Sequence, residues 1–331
     1  TLADILAAQQ VIRGVGDGTP LVPSPFMAAR AGHDFLLKLE NTQPMGAFKL
    51  RGALNALAAL PPGTAGVVCC STGNHGRAVA FAARRRGLRA VVCMSELVPP
   101  AKVEGIRSLG DEIRISGRSQ DDAAEESRRL SEAEGLVEIP PFDDPRVIAG
   151  QGTIGIELLA ARPDLGTILV PLSGGGLAAG VALAARAIKP AIRIVGISME
   201  RGAAMHVSLA AGHPVPVTEY PSLADSLGGG IGLDNRLTFA MCRDLLDDTV
   251  LVSEEAIRDA MQALFFEDRI VAEGASVVGL AAVLAGKLDL DGPAATIITG
   301  RNLDMGAFTQ IMAGRDVLVG DITVKGKPYD P

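Results

Sequence analysis

Short runs of Val, Ile and Leu alternate along the chain with longer stretches in which apolar residues recur every three or four positions. DFLLKLE, AGVVCCS, RAVVCMS, EIRIS, LVEIP, TILVPLS, RIVGIS and ATIITG read as strands, and FKLRGALNALAAL, GRAVAFAARRRG, DDAAEESRRLSEAEG, TIGIELLAARP and LAAGVALAARAI read as helices. Strands that are apolar throughout, rather than at every second position, are buried on both faces. The pattern therefore predicts an α/β fold with mostly parallel sheets flanked by helices. The proline-rich joints LPPG (60–63) and IPPFDDP (139–145) bracket a block expected to form a small mobile lobe, residues 56–145, set into a large lobe made of residues 1–55 and 146–331. No self-similarity of solenoid period and no low-complexity tract interrupts this reading.

Length agrees with two lobes and a cleft, since 331 residues exceed what one core usually supports. With 48% apolar and 21% charged residues the chain is globular, and a net charge of −7 leaves no general attraction for nucleic acid; the Arg84, Arg85, Arg86 cluster is too local to form a binding stripe. Cys69, Cys70, Cys93 and Cys242 show no CxxC spacing and accompany only four scattered histidines, so no disulfide framework and no metal site is expected, and a reducing cytoplasm fits. The longest apolar runs fall short of the roughly 18 residues of a membrane span, and no signal peptide is expected. A chain that opens at Thr1 is expected to lack its first residues.

In open parallel sheets ligands gather beyond the C-terminal ends of the strands, which directs attention to NTQPMGAFK, STGNHG, PLSGGGLAAG and TGRN. In PLSGGGLAAG, Gly174, Gly175 and Gly176 would let backbone N–H groups approach an anion at a helix N-terminus, although a tight strand-to-helix turn explains the same residues. GGGLAAG also fits GxGxxxG, and with Glu200 after the next strand it would suit a nicotinamide-dependent oxidoreductase; no hydride-transfer site accompanies it. Ser71, Thr72 and Asn74 could grip a carboxylate or simply cap a helix, and His75 reads first as a satisfied polar residue. Lys49 follows Gly46, Ala47 and Phe48, which leave room for a flat ligand; burial and the neighbouring Arg51 are expected to lower its pKa toward a nucleophilic amine. A non-catalytic binder of a phosphorylated metabolite also remains open.

KLENTQPMGAFKLRGA, STGNHGRAVA, AGQGT, PLSGGGLAAG, VAEGAS and TGRN, in this order and over nearly the whole chain, resemble the fold-type II pyridoxal-phosphate enzymes of the threonine dehydratase and serine racemase family. Within it, LADSLGGGIGLDNR and GISMERGAAM look most like the hydroxyectoine-utilisation dehydratases and the related 3-hydroxyaspartate dehydratases. The resemblance implies a two-domain fold similar to the tryptophan synthase β subunit, with pyridoxal 5'-phosphate in the interdomain cleft. It implies that Lys49 carries the cofactor as an imine, that Phe48 lies against the ring and that Asn74 bonds its hydroxyl. Ser173, Gly174, Gly175, Gly176 and Leu177 would hold the phosphate; Ser71, Thr72, Asn74 and His75 would surround the substrate. Gln151, Gly152, Thr153 and Gly228 would wall the pocket. Glu273 would sit near the cofactor or in a polar network, and Thr299 would present a hydroxyl to the pyridine nitrogen.

A neutral hydroxyl there does not hold the ring nitrogen protonated, so the resemblance implies elimination rather than transamination: a 3-hydroxy amino acid displaces Lys49, the freed amine takes the α-proton, the β-hydroxyl leaves, and the enamine hydrolyses to a 2-oxo acid and ammonia. Thr72 aligns with the serine that serves racemases as second-face base, so racemase side activity is also implied. Ser198 stands where racemases place a metal-binding glutamate, which argues against a cation site. Arg301 replaces a usual glycine and is expected to select an anionic or bulky polar substrate or to form a surface salt bridge. About 30 residues follow TGRN, too few for a regulatory domain. Family members of this length are commonly homodimers, which is the expected assembly.

Overall fold

The computed structural model describes residues 1–71, 73–96, 103, 107, 112–118 and 120–330, the side chains of residues 120 and 121 excepted. Among them are two main sheets. The larger contains β1 (Leu21–Pro23), β2 (Phe35–Leu39), β7 (Thr167–Pro171), β8 (Arg193–Met199), β9 (Asp248–Val252) and β10 (Ala294–Ile298), in the order β1-β2-β10-β7-β8-β9. Only β1 is antiparallel to its neighbour. The smaller contains β3 (Val67–Cys70), β4 (Ala90–Met94), β5 (Glu112–Ile115) and β6 (Val137–Glu138), all parallel, in the order β5-β4-β3-β6. A short hairpin, β11 (Val317–Val319) and β12 (Ile322–Val324), follows late in the chain. No helix among the described residues is long and apolar enough to cross a membrane.

The continuous apolar strands are buried on both faces, as their composition requires. Phe35 and Leu37 of β2 join a core with Leu169, Val195 and Ile197, whereas Leu36 joins Ile168, Val170, Ile194 and Ile297 on the opposite side. In the smaller sheet Val67, Cys69 and Val92 face one core, and Val68, Val91 and Cys93 face another, closed by Ala123 and Leu130. Leu50, Ala53 and Leu57 of the helix Lys49–Ala58 pack with Val67, Val79 and Val92, so this helix shares the core of the smaller sheet.

Three helices position the site. The helix expected at TIGIELLAARP begins eight residues earlier, at Pro145, and runs to Ala161; Asp144 caps it by accepting from the N–H groups of Arg146 and Val147. Glycines on this helix and on the helix Gly176–Ile188 serve close approach. A Cβ on Gly150 would lie 2.6 Å from the Arg51 oxygen, and one on Gly180 would lie 2.4 Å from the Ile148 oxygen and 2.7 Å from the Gly152 nitrogen. The Pro145–Ala161 helix is thereby wedged backbone-close between Lys49–Ala58 and Gly176–Ile188.

Candidate active site

The chain ahead of Lys49 is clipped to the end of β10. Ala47 forms an isolated antiparallel bridge with Gly300, Phe48 N–H donates to the Thr299 oxygen at 3.0 Å, and Arg301 N–H donates to the Gly46 oxygen at 2.9 Å. Lys49 then opens its helix. Its Nζ donates to the carbonyl oxygen of Pro141 at 2.6 Å and stands 5.4 Å from the centroid of the Phe48 ring. Solvent reaches part of the Lys49 side chain, but the amine is enclosed, and burial lowers its pKa to about 8.

Arg51 is not a cause of that shift, contrary to expectation. Two residues along a helix it points to another face, fully buried, with its guanidinium bonded to both oxygens of Glu40 at 2.7 and 2.8 Å and to Glu157 at 2.6 and 2.9 Å. Its charge is met there, and Lys38 adds a further ion pair to Glu157.

Beyond β7 the chain turns through Gly174 to Gly176 into the helix Gly176–Ile188, with Gly175 left-handed at φ +89°. The first paired N–H of this helix is that of Ala179, which donates to the Gly175 oxygen at 2.8 Å. The N–H groups of residues 173–178, including those of Ser173 and Leu177, donate to no acceptor among the described residues. Six unpaired donors in sequence at a helix N-terminus form an anion cradle. The glycines themselves are needed on the other side: a Cβ on Gly174 would come within 2.2 Å of the Phe142 ring, and one on Gly175 within 2.8 Å of Met205 Cε. Phe142 adjoins Pro141, so one dipeptide separates the Lys49 amine from the glycine turn.

A second helix, Asn74–Arg85, presents N–H groups at Asn74, His75 and Gly76 that donate to no acceptor among the described residues; Arg77 donates to the Gly73 oxygen at 3.3 Å. Ser71 Oγ accepts from Gly73 N–H at 3.4 Å, and Thr72 lies outside the described residues. The His75 ring is spent elsewhere. Its Nε2 bonds the Ile139 oxygen at 2.8 Å, and burial, then the nearby Lys49 charge, depress its pKa to about 3, so the ring is neutral with its hydrogen on Nε2. A carboxylate here meets the backbone of His75 rather than a cationic imidazole.

Asn74 belongs to a hydrogen-bond network that joins four parts of the chain. Its Nδ2 donates to Glu273 Oε1 at 2.8 Å, and its Oδ1 accepts from Asn302 Nδ2 at 2.6 Å. Ser226 Oγ also donates to Glu273 Oε1 at 3.0 Å, two residues before Gly228, and Asn302 N–H donates to Oε2 at 3.2 Å. Burial and then the Asp225 charge raise the Glu273 pKa to about 7. These bonds set Glu273 in a polar network. At the end of β10 the buried Thr299 hydroxyl lies 3.0 Å from Ser276 Oγ.

Gln151 is buried with neither Nε2 nor Oε1 paired among the described residues, and its Nε2 packs over Gly52, one turn along the helix from Lys49. Thr153 Oγ1 donates to the Gly150 oxygen and accepts from Arg51, and so faces the buried ion cluster. Arg301 is exposed and forms no salt bridge with a described residue. Glu200, the residue on which a dinucleotide reading depended, is paired with Lys287 at 2.7 Å. Ser198 Oγ rests on Met199 Sδ at 3.4 Å, and no group of acidic, His and Cys residues among the described ones could hold a metal ion.

Sequence reasoning missed Pro141, Ser226, Ser276 and Asn302. Asn302 alone carried a usable signal, its place just past a buried strand. The donor set fits pyridoxal phosphate: an enclosed amine at one end, six N–H groups without an acceptor among the described residues at the other, a buried orphan amide over Gly52, and a buried hydroxyl at Thr299.

Comparison with known proteins agrees with this fit. The family described as pyridoxal-phosphate dependent enzyme matches residues 12–300. A Sinorhizobium fredii protein provisionally named threonine dehydratase is 52% identical over 299 residues, 89% of this chain and 90% of its own length. The L-threonine ammonia-lyase of Thermotoga maritima is 38% identical over 328 residues, 96% of this chain and 81% of its own. The structure of maize serine racemase superposes with a TM-score of 0.88 at 36% identity, covering 94% of this chain and 96% of that one.

Proposed function

This chain belongs to the pyridoxal-phosphate dependent enzymes, and we propose that it acts as an ammonia-lyase, dehydrating and deaminating a 3-hydroxy amino acid. The observation that carries this reading is the enclosed Lys49 amine, held one dipeptide away from a run of unpaired N–H groups. Family membership displaces both the oxidoreductase and the non-catalytic binder.

When bound, the cofactor supplies an electron sink that acidifies the α C–H of an attached amino acid. In our reading the N–H groups of residues 173–178 hold its phosphate, and those of Asn74, His75 and Gly76 hold the substrate carboxylate at a positive helix end. Gln151 gives its free amide to the substrate, and Thr299 offers a neutral hydroxyl to the pyridine nitrogen. Lys49, with a pKa of about 8, is neutral in roughly a tenth of molecules at pH 7 and takes the α-proton onto Nζ. The β-hydroxyl departs with a proton as water; the released enamine takes up one water and yields the 2-oxo acid and ammonia.

At the finer level we read the substrate as a 3-hydroxyaspartate or a hydroxyectoine-derived relative. The segments LADSLGGGIGLDNR and GISMERGAAM support this, together with the exposed Arg301 beside Gly46, whose side chain forms no salt bridge with a described residue. A second reading, serine or threonine dehydration with racemase side activity, is favoured by the likeness to maize serine racemase. We also propose a homodimer.

The test is a panel of serine, threonine, the 3-hydroxyaspartate isomers and hydrolysed hydroxyectoine, with 2-oxo acid and ammonia measured together. Equal release of both from at least one substrate, and loss of the borohydride-fixed cofactor adduct in Lys49→Ala, are expected. A cofactor-replete enzyme that releases neither product from any of them refutes the lyase.

A further inference from the structure

Residues 139–144 link β6 to the helix that starts at Pro145, and they cross the site under unusually complete restraint. Ile139 N–H donates to the Val68 oxygen at 3.0 Å, and its carbonyl accepts from His75 Nε2 at 2.8 Å. The Phe142 ring lies against Gly174 and the Phe142 Cα, Cβ and carbonyl oxygen against Gly176, and that carbonyl accepts from Asp144 N–H at 3.0 Å. The Asp143 carboxylate receives the N–H groups of Arg236, Leu237 and Thr238 at 2.8, 2.9 and 2.9 Å. Asp144 caps the following helix. Between these anchors stands Pro141, whose carbonyl oxygen accepts from Lys49 Nζ at 2.6 Å.

We propose that the Pro141 carbonyl is the positioning group for Lys49: it receives one N–H of the amine whenever that amine is free, and so aims the amine's lone pair at the α C–H of the substrate. The proposal rests on the reading above in which Lys49 carries the α-proton.

The physical need is clear from the side chain. A lysine stem has four rotatable bonds, and an amine that swings freely spends little time aligned with one C–H; fixing one N–H leaves only a narrow arc for the lone pair. The acceptor must also be uncharged. A carboxylate in its place would stabilise the ammonium form, raise the pKa and leave almost no free amine to take a proton, whereas a neutral carbonyl orients the group and leaves the lowering by burial in force. A backbone oxygen pinned on both sides moves less than any side-chain acceptor could.

The carbonyl can be weakened without touching a side chain. Incorporating phenyllactate in place of Phe142 turns the Pro141–Phe142 peptide into an ester, whose carbonyl is a poorer acceptor; the N–H removed donates to no described acceptor. In the holoenzyme we expect kcat to fall about tenfold with KM within about twofold. In protein stripped of cofactor we expect Lys49 to be reductively methylated severalfold faster at fixed pH, because the amine is no longer held. Unchanged kcat and unchanged labelling overturn the proposal, as does a loss confined to KM. Should the ester protein not fold, Pro141→Gly, which loosens the same carbonyl, must speed Lys49 labelling; equal rates overturn the proposal. Failure of the functional reading is separately visible as an absent cofactor adduct at Lys49 in the parent enzyme.

Discussion

Asn74 and Glu273, 199 residues apart in sequence, share a buried hydrogen bond of 2.8 Å. The Glu273 carboxyl has a pKa raised from 4.5 to about 7, chiefly by burial, so it binds its proton more tightly in the folded than in the unfolded chain. The sign follows from proton linkage. Stability from this group is complete below about pH 4.5, falls as pH rises, and is at its lowest above about pH 7. Glu273→Gln keeps an acceptor for Asn74 but cannot ionise. Its stability relative to the parent should therefore rise across that window, by at most about 3 kcal/mol. Thermal melting at pH 5 and pH 7.5 measures it; a difference between the proteins that does not change with pH refutes the assignment.

Much of this architecture was legible because its signals are local. TILVP reads as a buried strand from its composition, and Gly174 to Gly176 read as a turn from theirs. The start at Pro145 was not, because Gly150, Gly152 and Gly155 look like helix breakers until the neighbouring backbones that demand them are seen. Strand β9, DTVLV, carries polar residues at its edge of the sheet and lacks the continuous apolar run of the central strands. The Asn74, Glu273 and Asn302 network joins residues about 200 positions apart, which no periodicity encodes. The Pro141 carbonyl was the least visible of all, since a backbone oxygen has no letter in the sequence.

The glycine turn makes a prediction about cofactor retention. Gly175→Ala must hold a Cβ at φ +89° and within 2.8 to 3.0 Å of Met205, Cys242 and Thr238. The left-handed conformation alone costs about 1–2 kcal/mol, and relief of the contacts shifts the neighbouring N–H groups. Pyridoxal phosphate should bind at least about tenfold more weakly, as read by cofactor absorbance after dialysis. Retention equal to the parent would dissociate this turn from the phosphate.

Arg301 makes a prediction about substrate charge. It is exposed and without a carboxylate partner among the described residues, so its contribution is a screened one of at most about 1 kcal/mol. Arg301→Gly should raise KM for a hydroxy amino acid with a second carboxylate by up to about fivefold, leave serine unchanged, and lose its effect as salt is raised. An unchanged ranking of substrates removes Arg301 from the selectivity of the site.

Gln151 makes a prediction with opposite signs in two assays. Its amide is buried and both polar atoms are unpaired, a state that costs about 1–3 kcal/mol for each group when nothing bonds it. Gln151→Leu removes those groups while keeping most of the volume over Gly52, so the cofactor-free protein should unfold at a higher temperature than the parent. If the same amide is satisfied by bound substrate, the variant should raise KM by about tenfold or more. A stabilised protein with poorer substrate binding is the signature of a residue kept for its ligand. A destabilised variant would mean that the amide already has a partner in the folded protein, and a stabilised one with unchanged KM would place the substrate elsewhere in the cleft.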